Sequence, residues 1–336
     1  MWRPSVVSAW RIGKRHARTA GIIIIVVLAG GLLIYSHLFG PVDGNAMTAE
    51  FVIEPGQSSV ATIASTLQAD GIVRSAWAVR IALLARAHGH AVRPGGYTIG
   101  KNMDAWSIAN VLTDPPALAF VTFPPNIRKE QIGDILADTF NWTDEEKEEW
   151  NTVATDPDPD LTEGVYYPDT YLIPSDQSPE QIAARLRGRF ADVFAPYAKE
   201  AQEKGIPWTK VLTLASIVDR ESAKNDKPLV AAILWNRLNS GMKLQADATL
   251  QYIKGTDKNW WPAPTSEDKY LDSPFNTYQH TGLPPHPIDN PTPDSVEAVL
   301  NPTPTDCLYY LHDTNHQIHC SLTYAGQVKN VNRYLK

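Results

Sequence analysis

The stretch Val211-Leu-Thr-Leu-Ala-Ser-Ile-Val-Asp-Arg-Glu221 decides how the chain is read. At about 100° per residue, Val211, Leu214, Ile217, Val218 and Glu221 fall within an arc of roughly 120°. The spacing predicts a helix with one buried face and Glu221 at the end of that face, one turn beyond Ile217 and Val218. Asp219 and Arg220 are expected to point elsewhere. A carboxyl against apolar side chains loses solvation, which raises its pKa. A carboxylic acid still protonated near neutral pH can give a proton to a leaving group. The plainer alternative is a helix-end glutamate that reaches past the core to water.

Working outward, strand and helix signals alternate, and the fold class is α+β. Phe51-Val-Ile-Glu-Pro-Gly56 reads as a strand closed by a Pro-Gly turn. Ser58 or Ser59 is placed to cap a helix from Val60 to Asp70, followed by a helix over 76–88. Gly95–Ile99 reads as a returning strand and Met103–Leu112 as an amphipathic helix. Val121–Phe123 and a helix over Arg128–Asp138 begin a second unit. Residues 142–150, acidic with a tryptophan at each end, read as an exposed helix. Asp156-Pro-Asp-Pro-Asp160 is a proline-rich joint. Helices are expected at Pro179–Tyr197, Pro228–Asn239 and Ala325–Leu335, with a hairpin turning at His312-Asp-Thr-Asn315. The expected organisation is a basic segment (1–20), a membrane span (21–39), a small module (51–118), a connecting subdomain (119–160) and a main domain (161–336).

With 336 residues and 43% hydrophobic side chains, the chain can bury more than one core. A net charge of −7 argues against general nucleic-acid binding. Residues 1–20 hold five Lys or Arg and no acid, and residues 21–39 hold no charged side chain. The apolar run is long enough to span a bilayer and long for a signal peptide. Basic residues before it and Asp43, Glu50 and Glu54 after it place the N-terminus in the cytoplasm. The rest of the chain is then outside the cytoplasmic membrane, in a periplasmic or extracellular space that permits disulfides. Cys307 and Cys320 flank the expected hairpin. Its register is not set by sequence, so a bridge and two free thiols both stay open.

Four ordered blocks carry a resemblance. They are Glu163-Gly-Val-Tyr-Tyr-Pro-Asp-Thr-Tyr171; Leu214-Ala-Ser-Ile-Val-Asp-Arg-Glu-Ser222; Trp235-Asn-Arg-Leu-Asn-Ser-Gly-Met-Lys-Leu-Gln-Ala-Asp-Ala-Thr-Leu-Gln-Tyr252; and Ser273-Pro-Phe-Asn-Thr-Tyr278 with Thr281–Pro285 and Pro287–Pro291. With the apolar N-terminal run, they resemble the YceG-like family of membrane-anchored endolytic murein transglycosylases. The family's catalytic acid is the glutamate of its second block, which falls on Glu221. The family's first exported module is LysM-like and associated with peptidoglycan binding, and residues 51–118 fit its outline. Three features depart from the family pattern: Pro124-Pro-Asn126, Thr292 after Pro291, and Cys320 after His319. They leave the acid in place and bear on the loops around it.

The resemblance implies a lyase acting on peptidoglycan glycan strands, with glycan synthases as protein partners and no cofactor. In such chemistry the sugar's own C6 hydroxyl is the nucleophile, so one carboxyl serves as acid and then as base. Gln245, Asp247, Asn276 and Tyr278 are the candidate substrate-binding residues. Against those roles stand turn capping for Asn276, core packing for Tyr278 and an N-cap at the helix beginning near Ala248 for Asp247. Asp247 placed across from Glu221 would instead permit hydrolysis. Glu163 and Asp169 read as structural. Trp260 and Trp261 suit sugar stacking or ordinary packing equally. His312, His316 and His319 cluster by count, yet the family uses no metal, so no metal site is expected. An inactive peptidoglycan-binding scaffold is the remaining alternative. No cysteine or serine sits in a recognisable peptidase block.

Overall fold

The computed structural model describes residues 6–86, 91–155 and 158–336. Arg3, the end of the helix expected over 76–88, and Asp156-Pro157 of the proline-rich joint lie outside the described residues. The chain divides into two compact units, Met1–Phe120 and Val121–Lys336.

The first unit begins with helix α1, Val6–Phe39. Its Ile22–Phe39 stretch is long and apolar enough to cross a membrane, and just 6% of it is buried. Strand β1 (Thr48–Ile53) pairs antiparallel with β2 (Gly95–Gly100), setting Phe51 opposite Tyr97. Helices α2 (Val60–Ala69) and α3 (Ala76–Arg86) lie between the two strands in sequence, and α4 (Ala105–Thr113) follows them. Ser59 is the residue that caps α2, accepting the Thr62 N–H at 3.1 Å. Ile53, Ile63, Leu67, Leu83, Tyr97, Ile99 and Leu112 close one core. The next strand, β3 (Leu118–Thr122), pairs through Leu118 and Ala119 with Gly96 and Gly95. A Cβ on Gly95 would meet the Leu118 backbone oxygen at 2.5 Å, so this close approach of β3 requires a glycine there.

The second unit is mostly helical. Its elements are α5 (Lys129–Phe140), α6 (Asp144–Glu149), β4 (Thr170–Pro174), α7 (Pro179–Glu203), α8 (Trp208–Glu221), α9 (Lys227–Asn239), α10 (Asp247–Lys254), α11 (Pro293–Leu300), hairpin β5 (Tyr309–His312) and β6 (Ile318–Ser321), and α12 (Tyr324–Tyr334). Helix α8 packs against α7, α9, α10 and α11. Every residue from Val211 to Asp219 is therefore buried, not one face alone. Asp219, expected to point away, is buried and accepts from Lys227 Nζ at 2.6 Å and the Thr292 N–H at 2.6 Å.

Three other expectations change. Within 142–150 the expected exposed helix forms over Asp144–Glu149, but Trp150 at its end is fully buried and donates its indole N–H to Lys129 O at 2.8 Å. The acidic side chains face solvent while both tryptophans join the core. Helix α7 does not stop at Tyr197 but continues through Pro196 to Glu203, because its apolar face runs on through Phe194 to buried Ala201. The stretch 119–160, expected as a connecting subdomain, sends Val121, Phe123, Ile132, Leu136 and Trp150 into the same core as α8 and α9.

Conserving polar geometry inside that core is the work of Asn290. It accepts the Tyr166 N–H at 2.8 Å and donates to Ile127 O at 2.9 Å and Glu163 Oε1 at 3.0 Å. Blocks one and four of the sequence thus meet in a buried hydrogen-bond network. Cys307 and Cys320 form a disulfide that closes the β5–β6 hairpin, with Cα atoms 5.9 Å apart.

Candidate active site

Glu221 is the last residue of α8, so its position is set by the most buried helix of the unit. Its side chain reaches the start of α10. Oε1 accepts the backbone N–H of Ala248 at 3.0 Å, in the first turn of that helix. Oε2 accepts the hydroxyl of Tyr310 at 2.9 Å, from β5 of the hairpin. The carboxyl therefore has one acceptor bond to each oxygen, from two different elements.

The two donors differ chemically. A backbone N–H can only donate, so Oε1 stays an acceptor in both protonation states. A phenol can donate or accept, so Tyr310 can follow a proton onto and off Oε2. A proton on this carboxyl belongs on Oε2. Burial pushes the Glu221 pKa up from the ordinary carboxylate value, and the negative charge of Asp247 adds to the rise. The Ala248 and Tyr310 hydrogen bonds and the charge of Arg237 pull the other way. Burial beside Glu221 raises the Tyr310 pKa well above that of a free phenol, so its hydroxyl stays protonated.

The neighbouring segments are fixed by buried Arg237. Its Nε donates to Leu308 O at 2.6 Å, just before β5, and its Nη1 donates to Leu244 O, just before Gln245. Gln245 is exposed and has a left-handed backbone, φ 51°, with its N–H donating to Thr277 O at 3.1 Å. Asp247 does not cap α10; it is the first helical residue, and the Ala248 N–H in the first turn is taken by Glu221. The Asp247 carboxylate is exposed and accepts the Tyr278 hydroxyl at 2.6 Å. Tyr278 is therefore not simple core packing. Asn276 is fully buried, donating to Lys269 O and Leu271 O and accepting the Tyr278 N–H at 3.0 Å. It braces the loop from beneath. The structure thus brings Glu221, Asp247 and Tyr278 into one electrostatic group, with Gln245 two residues before Asp247.

The tryptophan pair is held by arginines. The Arg220 guanidinium lies 3.3 Å from the Trp261 ring centroid, and that of Arg128 lies 5.1 Å from Trp260. Two of the hairpin histidines are paired with acids: His312 with Asp226 at 2.7 Å and His319 with Asp313 at 2.9 Å. Among the described residues, no three His, Cys, Asp or Glu side chains are grouped to hold a metal.

Sequence reasoning missed Tyr310, Arg237 and the Ala248 N–H. Arg237 lies in the third block but carried no marked partner. Tyr310 lay in an expected strand of unknown register, and a backbone N–H has no side-chain signature.

Residues 51–333 match the model of the YceG-like family. A protein named endolytic murein transglycosylase from Bacillus subtilis (strain 168) is 29% identical, over 92% of this chain and 91% of its own length. One of the same name from Streptococcus pneumoniae (strain D39) is 28% identical, over 87% of this chain and 60% of its own length. The crystal structure of a YceG-like protein from Listeria monocytogenes is 26% identical with a TM-score of 0.57, over 84% of this chain and 99% of that one.

Proposed function

The chain belongs to the YceG-like family, and on that premise we propose that it is a membrane-anchored endolytic transglycosylase that cuts within peptidoglycan glycan strands. The observation that carries this reading is the doubly hydrogen-bonded, half-buried carboxyl of Glu221, with a second carboxylate, Asp247, kept exposed beside it. The chain is a peptidoglycan lytic transglycosylase, as are its named relatives.

Glu221 protonates the glycosidic oxygen between MurNAc C1 and the following GlcNAc, using the proton on Oε2. The C1–O bond breaks, and the muramyl C6 hydroxyl attacks C1 to close a 1,6-anhydro ring. Its proton passes to Glu221, which regains the acid form. No water is consumed. Tyr310 turns from acceptor to donor as Oε2 loses its proton, and back again as it regains it. Asp247 and Tyr278 bind the sugar, with Gln245 reaching it from the preceding loop and Asn276 holding that surface in shape. The LysM-like module at 51–118 binds the strand, and residues 21–39 anchor the chain with the N-terminus cytoplasmic and the enzyme outside. Glycan synthases are the protein partners this placement favours.

The test is mass spectrometry of purified glycan strands digested by the full chain and by Glu221→Gln. Wild type should yield 1,6-anhydro-muramyl ends, and the variant should lose about 10²- to 10⁴-fold in rate with its fold intact. Reducing ends from the wild type would overturn the lyase reading and make Asp247 the base of a hydrolase. Binding without cleavage by either protein would leave a scaffold.

A further inference from the structure

We propose that the first unit rests on the membrane surface itself, with α3 lying in the lipid interface beside the point where α1 leaves the bilayer. This rests on the reading of α1 as a membrane anchor. The apolar stretch Ile22–Phe39 has 18 residues, about 27 Å of helix, close to the roughly 30 Å of a hydrocarbon core. Tyr35 and Phe39 then stand at the outer boundary.

Neither residue is free of the unit. Phe39 is buried in its core, 7% exposed. Its ring lies 6.0 Å from Trp106 of α4 and 6.2 Å from Trp77 of α3. Deeper by one turn, Tyr35 stacks on Phe39 at 4.6 Å and its hydroxyl accepts the Trp106 indole N–H at 2.9 Å. The unit therefore has no slack tether between it and the span. Whatever depth Tyr35 and Phe39 take, Trp77 and Trp106 share it.

The outer face of α3 suits that depth. Trp77 and Leu84 are 59% and 65% exposed, and their spacing of seven puts them on one side with Arg80 between them. The helix carries Arg80 and Arg86 and no acidic residue. Close by, Arg74 donates to Val42 O at 3.3 Å, three residues past the end of α1. Exposed tryptophan and leucine flanked by arginines are the composition of an interfacial helix on an anionic leaflet.

The experiment is depth-dependent quenching in the full-length chain. Single cysteines at Trp77→Cys, Leu84→Cys, Leu28→Cys and Gln57→Cys are labelled with an environment-sensitive fluorophore, without reductant. Each protein is placed in vesicles of phosphatidylethanolamine and phosphatidylglycerol carrying a spin-labelled lipid. Gln57 is the comparison position, exposed in the turn after β1 and outside both α1 and α3. The proposal expects emission at 77, 84 and 28 to fall at least about twofold, with little change at 57. Two labelled positions on α3 guard against one variant misfolding. Quenching at 28 without quenching at 77 and 84 would overturn the docking and leave the anchor standing. No quenching at 28 would remove the anchor and the docking with it. Equal quenching at 57 would mean general adsorption and would also overturn the proposal.

Discussion

Tyr310 and Asp247 pull the acid strength of Glu221 in opposite directions. The Tyr310 hydroxyl donates to the ionised carboxylate and so lowers the Glu221 pKa, while the Asp247 charge raises it. Arg237 and Arg220 are the cations that face the same carboxyl, and Tyr278 is the other phenol near it. Tyr310→Phe removes one of the hydrogen bonds that lower the Glu221 pKa. Glu221 must be protonated to act as acid, so the basic limb of the kcat/KM profile should move to higher pH as the rate falls. Asp247→Asn should move the same limb to lower pH, by less, because Asp247 is exposed and solvent screens its charge. Profiles that fall in height without moving along the pH axis would remove both assignments. The place of Glu221 at the end of a buried helix was legible from one apolar stretch, while its catalytic role was implied by the resemblance of the second block. Tyr310 was not legible, since the face of a strand residue depends on a register that only packing sets. The Ala248 N–H was out of reach for a different reason: it depends on where α10 begins relative to α8.

Among the elements, the β5–β6 hairpin is the one that needs outside support. Its strands are four residues each, too short to be stable alone. Its supports include the Cys307–Cys320 disulfide, Arg237 at Leu308, Asp226 at His312, and Gln327 of α12, which donates to Tyr310 O at 2.8 Å. A bridge across 13 residues stabilises by about 3 kcal/mol in the chain-entropy account. Reduction should lower the thermal unfolding temperature and cut activity several-fold by loosening Tyr310. Cys307→Ser with Cys320→Ser should reproduce both effects and be indifferent to reductant. Full activity in reduced wild type would mean that other contacts hold the strand. The element most legible in sequence was α2, which has both a clear period and a cap at Ser59. Those misread were ruled by tertiary contacts. Pro196 should have closed α7, yet the helix continues because its buried face does. The acidic run before Trp150 disguised a π-turn that drives that ring into the core.

Across the molecule, buried carboxyls set how stability responds to pH. Burial pushes Glu163 up to about 8, with the charge of Glu130 adding and hydrogen bonds from the Lys129 and Gly164 N–H groups opposing. Burial also raises Asp289 well above the ordinary value, and Glu221 moves the same way. The sequence placed Glu163 among structural residues without showing why, because its partner Asn290 is 127 residues away. Each of these groups binds its proton more tightly folded than unfolded. The Glu163 contribution is fully present below the ordinary value of 4.5 and is lost as pH rises through about 8, and those of Asp289 and Glu221 are lost in the same direction. Asp268 and Asp313, whose pKa values are lowered by Lys254 and His319, act in the opposite sense and only in more acidic solution. Across roughly pH 5 to 8.5 the loss of the Glu163 contribution lowers stability. The unfolding temperature of the wild type should therefore fall steadily across that range. Glu163→Gln loses an acceptor for the Lys129 or Gly164 N–H and should be less stable at pH 5 by about 1–3 kcal/mol. Its unfolding temperature should nevertheless fall less steeply with pH, because one of the titrating groups is gone. A pH series of thermal unfolding for both proteins reads this directly. Parallel curves would mean that Glu163 is ionised throughout, held by its three hydrogen-bond donors, and that the slope belongs to Asp289 and Glu221.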